Sequence, residues 1–262
     1  MSWTDALRLG RAVVQKHVGG GQTPTADANV PMGAHIGALM TLKVNTFLRA
    51  QGSLVGIPPA TSRVVAISRL RTPVEGQVHR LYTACGDSGE VGADGRAFLQ
   101  VYTAGTDIRE IVYFRRLIRL YPTTNDDQVA FLGEDGAGLG NISFSVYRSQ
   151  LAGLQLDESV LAQAFGDAES IDFTRTAGSS DQDWIEPYRG TENRINDAQG
   201  NTGLHQDVVF MPYARALNGG AQEQLLICTE IVSDRDGDAG AREIHVDFMI
   251  GLALTPDGVL VQ

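Results

Sequence analysis

Alternation of apolar and polar residues is the strongest pattern in the chain, and it predicts β-strands. In residues 242–254, REIHVDFMIGLAL, six apolar residues fall on one face: Ile244, Val246, Phe248, Ile250, Leu252 and Leu254. His245, Asp247 and Met249 fall on the other face. Similar segments, rich in β-branched and aromatic residues, occupy residues 63–70, 77–84, 96–104, 108–121, 206–217 and 223–232. Short turns rich in Gly and Asp separate several of them, which predicts antiparallel, meander-type sheets.

Helical patterns are fewer. Asp157 at an N-cap position and Gly166 after the last apolar residue predict a short helix over residues 157–166. After Ser2, apolar residues recur at helical spacing and predict an N-terminal amphipathic helix: Trp3, Ala6, Leu7, Val13, Val14 and Val18. Residues 33–49 show both helical spacing and strand-like alternation of apolar residues, so strand or mixed structure is expected there. The expected fold class is therefore α+β, mainly β, with a few short helices.

A change in composition near residue 30 predicts the domain organisation. Residues 19–31, GGGQTPTADANVP, have the composition of a flexible linker. We therefore expect a helix and linker over residues 1–30 and a β-rich domain over residues 31–262. That domain is either one unit or two antiparallel halves, 31–150 and 151–262. The first helix docks on the protein's own body, on a partner or on a membrane surface.

Composition excludes several classes of function. The formal net charge of the 262 residues is −10, which argues against a general binder of phosphate backbones and predicts no nucleic-acid partner. Cys85 and Cys228 form no CxxC pair, so a structural zinc site is not expected. The charged N-terminus is unlike a secretory signal, and no apolar run approaches the roughly 18 residues of a membrane span. A soluble, cytoplasmic protein is expected.

The most site-like stretch is residues 233–240, SDRDGDAG, which places Asp234, Asp236 and Asp238 at alternate positions. A calcium loop of the EF-hand kind, counted from Asp234, needs glycine at position six and glutamate at position twelve, between helices. This chain has Ala239 and His245 there, and its flanks are predicted strands. A hairpin turn is the favoured interpretation, and the three aspartates remain candidate calcium ligands.

The remaining motifs give little evidence of a catalytic or cofactor-binding site. The glycine-rich residues 133–140 lack the spacing and the lysine of a phosphate-binding loop, so no cofactor is predicted. The five histidines are scattered, and no catalytic residue is assigned, although a site assembled only in space remains an alternative. The arginines in residues 113–121, YFRRLIRLY, are expected to pair with acids on the sheet.

Residues 183–193, DWIEPYRGTEN, mix aromatic and charged residues in a predicted loop. Trp184 and Tyr188 suit a recognition surface, and they suit an aromatic plug at a sheet edge equally well. Together with Trp3, Leu7 and Val14 of the first helix, they are the candidate interaction residues.

The order of several segments resembles the YjfK family, a bacterial domain family of unknown function. The resemblance rests on HRLYTACG, AFLQVYTAG, IREIVYFRRLIRLYPTTNDD, IDFTRTAG, DWIEPYRGTEN, HQDVVFMPYAR, EQLLICTE and IHVDFMIGLAL, and it spans residues 33–261. It departs at residues 173–178, where a tryptophan is expected near the arginine. The family carries no established catalytic residues. Its gene neighbourhoods imply a link to envelope stress and a partner among membrane-stress or membrane proteins.

These observations favour a bacterial protein-interaction or adaptor module that is not an enzyme. The alternatives are an enzyme with a spatially assembled site, recognised by a deep pocket with at least two titratable residues of shifted pKa, and a calcium-binding protein.

Overall fold

The computed structural model describes residues 2–10, 30–84, 97–152, 154, 156–240 and 243–262, and within them the protein is mainly β. The strands are β1 (Leu39–Leu42), β2 (Thr61–Arg71), β3 (Gln77–Thr83), β4 (Ala97–Ala104), β5 (Asp107–Leu120), β6 (Ser143–Tyr147), β7 (Ser170–Arg175), β8 (Tyr188–Ile195), β9 (Gly203–Ala216), β10 (Gln222–Arg235), β11 (Glu243–Leu254) and β12 (Val259–Val261). The helices are α1 (Trp3–Gly10), α2 (Asn45–Arg49), α3 (Asn125–Leu132), α4 (Arg148–Leu151) and α5 (Glu158–Phe165).

Eight strands form a closed antiparallel barrel. Around the barrel the order is β2-β3-β4-β5-β11-β10-β9-β8, and β8 returns to pair with β2. The closing seam runs from Ile67 opposite Ile195 to Arg71 opposite Thr191. Four barrel strands come from residues 31–150 and four from residues 151–262, so both stretches build one closed wall.

The predicted mainly β, antiparallel class is confirmed, but the strands close into a barrel and do not form open sheets. The loop predicted over residues 183–193 was wrong in its second half, because β8 begins at Tyr188 and supplies the closing strand. The sequence of β8, YRGTENRI, has no apolar alternation, because Glu192 and Arg194 face inward and meet other polar groups inside the barrel. Residues 33–49 are mixed, as expected, with β1 followed by α2.

Closure places every second residue of each strand inside the barrel. On β11 the inward residues are His245, Asp247 and Met249, and the apolar face points outward. Phe248 on that face contacts Phe131 of α3 and Phe144 of β6, with ring centroids 6.0 and 5.4 Å apart. Much of the hydrophobic core therefore lies between the barrel wall and an outer layer of helices and short strands.

One end of the barrel is covered by α1. Trp3 stacks on Phe210 of β9 at 5.3 Å, and its backbone N–H donates to the Glu110 carboxylate at 2.6 Å. The hydroxyl of Tyr188 donates to the backbone carbonyl of Leu7 at 3.2 Å. The first helical turns therefore dock on the protein's own body.

This docking corrects the interpretation of three candidate interaction residues. Trp3, Leu7 and Tyr188 are buried in the chain's own core and present no exposed docking face. Val14 lies outside the described residues. Among the residues that are described, no helix has the length and apolar character needed to cross a bilayer.

The outward packing of Phe248 predicts a large effect of its removal. Phe248→Ala should lower the free energy of unfolding by about 3–5 kcal/mol, because a buried ring is replaced by a cavity. Leu260→Ala, at a half-exposed position on β12, is the control and should cost less than about 1 kcal/mol. Urea unfolding measures both, and equal midpoints would contradict the assigned facing of β11.

Candidate functional site

The interior of the barrel changes character along its axis. Near α1 it is filled largely by apolar and aromatic side chains, including Tyr188 and Phe210, whose rings lie 5.7 Å apart. Towards the opposite end it is polar and opens into a cavity of about 300 Å³. We call this open end the mouth. Eight charged or titratable side chains line it: Arg119, Arg194, Arg235, Glu230, Asp236, Glu243, His245 and Tyr121.

Two β-bulges direct arginines into the mouth. Leu117 is an extra residue in β5 opposite β11, so Arg116 and Arg119, three residues apart, point to the same face. Ser233 is an extra residue in β10 opposite β9, and it brings Arg235 to the inward side. Without these bulges, strand alternation would turn one arginine of each strand outward.

Asp247 is held by two of these arginines. Arg119 donates to both of its carboxylate oxygens at 2.6 Å, and Arg116 lies 3.7 Å from the same group. The predicted pairing with an acid is therefore confirmed for Arg116 and Arg119, whereas Arg115 donates to the backbone carbonyl of Val55 at 3.0 Å. Burial raises the pKa of Asp247, opposed by the Arg119 hydrogen bonds, and the nearby Glu230 adds to the rise.

His245 lies between two carboxylates. Its Nε2 is 2.9 Å from Glu230 on β10, directly across the strand pair, and its Nδ1 is 3.4 Å from Glu243. Burial alone would raise the pKa of Glu230, but the His245 hydrogen bond and charge, with the charges of Arg80 and Arg119, lower it. Glu230 and Asp247 thus shift in opposite directions at one end of the barrel.

Below the mouth, Glu192 of β8 is the centre of a buried network. It accepts hydrogen bonds from Ser68, from Tyr82 at 2.5 Å, from Arg80 at 2.8 Å and from Gln206 at 3.1 Å. The side chains of Arg80 and Glu192 are each 1% exposed. Four strands therefore meet at one carboxylate, which neutralises the Arg80 charge.

Arg194 differs from the other arginines of the mouth because it pairs with no carboxylate among the described residues. Its Nε donates to Asn196 at 3.1 Å, and its guanidinium lies over the Tyr82 ring, 5.3 Å from the centroid. These contacts orient the guanidinium, and Arg194 lines the cavity. The planar guanidinium has the geometry to pair with a carboxylate or phosphate through two hydrogen bonds.

Three buried polar atoms of the interior have no hydrogen-bond partner among the described residues: Arg80 Nη2, Gln206 Oε1 and His245 Nδ1. They belong to β3, β9 and β11, and all three side chains point inward. Buried polar groups almost always have partners, because an unsatisfied group costs about 1–3 kcal/mol. Of the three residues, His245 lines the cavity at the mouth, whereas Arg80 and Gln206 belong to the Glu192 network.

Each of the three candidate calcium ligands accepts a hydrogen bond from a backbone N–H. Asp234 accepts from Gly237 at 2.9 Å, Asp236 from Gly203 at 2.8 Å, and Asp238 from Gly240 at 2.8 Å. The carboxylates thus shape the connection between β10 and β11, as the turn interpretation expects. The group whose ligand atoms do converge, within 4.8 Å of one another, is Glu230, His245 and Asp247.

The remaining predicted residues lie elsewhere. Trp184 is partly buried and donates its indole N–H to the Leu139 carbonyl at 3.1 Å, outside the mouth. Cys228 is buried on β10, and burial raises the pKa of its thiol. Cys85 lies outside the described residues. The sequence pattern identified the polar face of β11 but not its role. It gave no prediction for Arg194, which follows the predicted loop of residues 183–193 and lies in no predicted strand.

Comparison of the chain with family models, curated proteins and solved structures gives no match.

The Glu192 network makes a specific prediction for stability. Glu192→Leu should lower the free energy of unfolding by about 3–5 kcal/mol, because Arg80 would remain buried without its counter-charge. Adding Arg80→Met should restore part of that loss, as measured by urea unfolding of the single and double variants. Additive losses from the two replacements would show that the pair is not coupled.

A second prediction concerns the turn between β8 and β9 at the mouth. Asp197 accepts hydrogen bonds from Thr202, Asn201 and Gln199, and those from Thr202 are chiefly responsible for lowering its pKa from 3.8 to about 2. A lowered folded-state pKa stabilises the fold above the unfolded value, and that contribution is lost as pH falls towards 2. The stability difference between wild type and Asp197→Ala should be constant above about pH 5 and shrink below pH 4. A difference independent of pH would contradict the assignment.

Proposed function

We propose that the protein binds a small anionic molecule in the mouth of the barrel. The observation that carries the proposal is Arg194, an oriented guanidinium with no carboxylate partner, beside a cavity of about 300 Å³. The cavity volume lies at the lower end of the roughly 300–1,000 Å³ that is typical of ligand pockets. It suits a compact ligand at the small end of known binding sites.

The pairing of the arginines at the mouth supports an anion at Arg194. Arg119 is compensated by Asp247 and Arg235 by Glu243, at 2.6 and 3.0 Å. Deeper in the barrel, Glu192 compensates Arg80. Arg194 is the arginine of the cavity lining that has no carboxylate partner among the described residues, so a carboxylate or phosphate would pair with it without displacing an existing ion pair.

The cavity lining supports a ligand that carries hydrogen-bond donors as well as an acid group. Glu230, Asp236 and Glu243 line the cavity together with Arg194. A hydroxylated or amide-bearing acid would place its acid group on Arg194 and donate its O–H or N–H groups to these carboxylates. Discrimination against simpler anions would follow, because such anions bring no donor for the carboxylates.

The adaptor hypothesis from the sequence, with its envelope-stress partner, is a separate proposal with less support from the geometry. Three of its five candidate interaction residues, Trp3, Leu7 and Tyr188, are buried. The enzyme alternative is favoured by one observation, the opposite pKa shifts of Glu230 and Asp247. Chemical conversion of a bound compound, followed by NMR, would distinguish an enzyme from a binding protein.

Anion binding can be tested by calorimetry on the full chain, with inorganic phosphate, acetate and succinate as probes. We expect saturable binding of at least one probe. Arg194→Gln should weaken that binding by about tenfold to a hundredfold, because a charge-assisted pair of hydrogen bonds is lost.

Arg109→Gln is the matched control for that experiment. Arg109 is an exposed arginine paired with Asp107 near the α1 end of the barrel, so its replacement should leave the affinity unchanged. Failure of every probe to bind, or equal affinities of wild type and Arg194→Gln, would refute the proposal.

A further inference from the structure

A second site lies on the wall of the mouth, independent of Arg194. One ligand atom each from Glu230, His245 and Asp247 converges within 4.8 Å of the other two. Glu230 and His245 line the cavity, so the group is reached from solvent through the mouth. We propose that these three residues bind a divalent first-row transition-metal ion of the zinc type.

The backbone holds the three side chains in place before any ion arrives. β10 and β11 pair continuously from Glu223 opposite Leu252 to Val232 opposite Glu243. Glu230 is directly opposite His245 in this register, and Asp247 is two residues further along β11, so all three project inward. A site on two paired strands is more rigid than one on a loop, which favours binding.

The donor set selects the class of ion. An imidazole nitrogen with two carboxylate oxygens suits zinc, manganese, iron, cobalt or nickel. Calcium and magnesium prefer oxygen ligands alone, which distinguishes this group from the three aspartates of the β10–β11 turn. The remaining coordination positions would face the cavity and be filled by water.

His245 provides an independent observation. It is 2% exposed, and its Nδ1 has no hydrogen-bond partner among the described residues. Glu243 Oε1 lies 3.4 Å from that nitrogen. Metal-bound histidines usually donate their second N–H to a carboxylate, which fixes the tautomer. A small closure of this distance would create that arrangement, with Nε2 on the ion and Nδ1–H on Glu243.

Arg119 is the competing cation. Its two hydrogen bonds of 2.6 Å occupy both oxygens of Asp247, so a bound ion must displace the guanidinium from at least one of them. A metal ion and Arg119 would therefore compete for the same carboxylate. Replacing Arg119 by an uncharged residue should strengthen metal binding, whereas a purely structural ion-pair network predicts no metal binding in either protein.

The experiment is a calorimetric titration of the full chain with Zn²⁺ alone, in a buffer without phosphate. We expect one equivalent to bind, with the affinity reduced at least a hundredfold in His245→Gln and about tenfold or more in Glu243→Gln. Arg119→Gln should bind Zn²⁺ more tightly than wild type. Asp234→Asn, a change in the neighbouring turn, should leave the affinity unchanged.

Further measurements distinguish loss of the metal site from unfolding and from loss of the anion site. Circular dichroism shows whether each variant is folded, and if His245→Gln is not, the visible absorption of bound Co²⁺ in wild type tests for imidazole coordination directly. Arg194→Gln should retain Zn²⁺ binding, which separates this site from the anion site. Absence of saturable Zn²⁺ binding by wild type, or equal affinities of wild type and folded His245→Gln, would overturn the proposal.

Discussion

Closure of the sheet between β2 and β8 is the constraint on which the interior of this protein depends. It forces the alternating side chains of eight strands into one enclosed space. Arg80 on β3 and Glu192 on β8 belong to strands that are not neighbours, and closure brings them to 2.8 Å. In a low-dielectric interior, each buried charge is stable only beside a group of opposite charge. The pairing of strands in the barrel wall and the pairing of charges inside it therefore depend on each other.

The two ends of the barrel differ because apolar side chains fill one end and charged side chains fill the other. At one end α1 covers an apolar filling through Trp3 and its contact with Phe210. At the other end, bulges in β5 and β10 bring extra arginines inward, and carboxylates from β11 compensate them. This leaves the mouth with fixed, closely spaced charges of both signs, and Arg194 is the arginine of the lining that lacks a carboxylate partner within the described residues. Such a surface is suited to recognising a small charged ligand.

Much of the wall was predictable from sequence, because its outward face is apolar and alternates. The predicted strands correspond to β2–β5 and β9–β11, and α5 has the expected cap at Asp157. The closing strand β8 was not predictable by this rule, since Glu192 and Arg194 face inward and Arg189 is exposed. The bulges at Leu117 and Ser233 leave no signal in hydrophobic periodicity. The polar face of β11 could be recognised from the sequence, but only the closed barrel shows that this face lies inside.

The closing seam is tested most directly by NMR of the isotopically labelled chain. A closed barrel predicts nuclear Overhauser effects between the backbones of β2 and β8, in the register of Ser68 with Arg194 and Arg69 with Asn193, and slow hydrogen exchange of the seam amides. Missing cross-strand effects together with rapid exchange along β8 would mean an open sheet. The polar residues would then lie in solvent, and neither the mouth nor its ligand sites would exist.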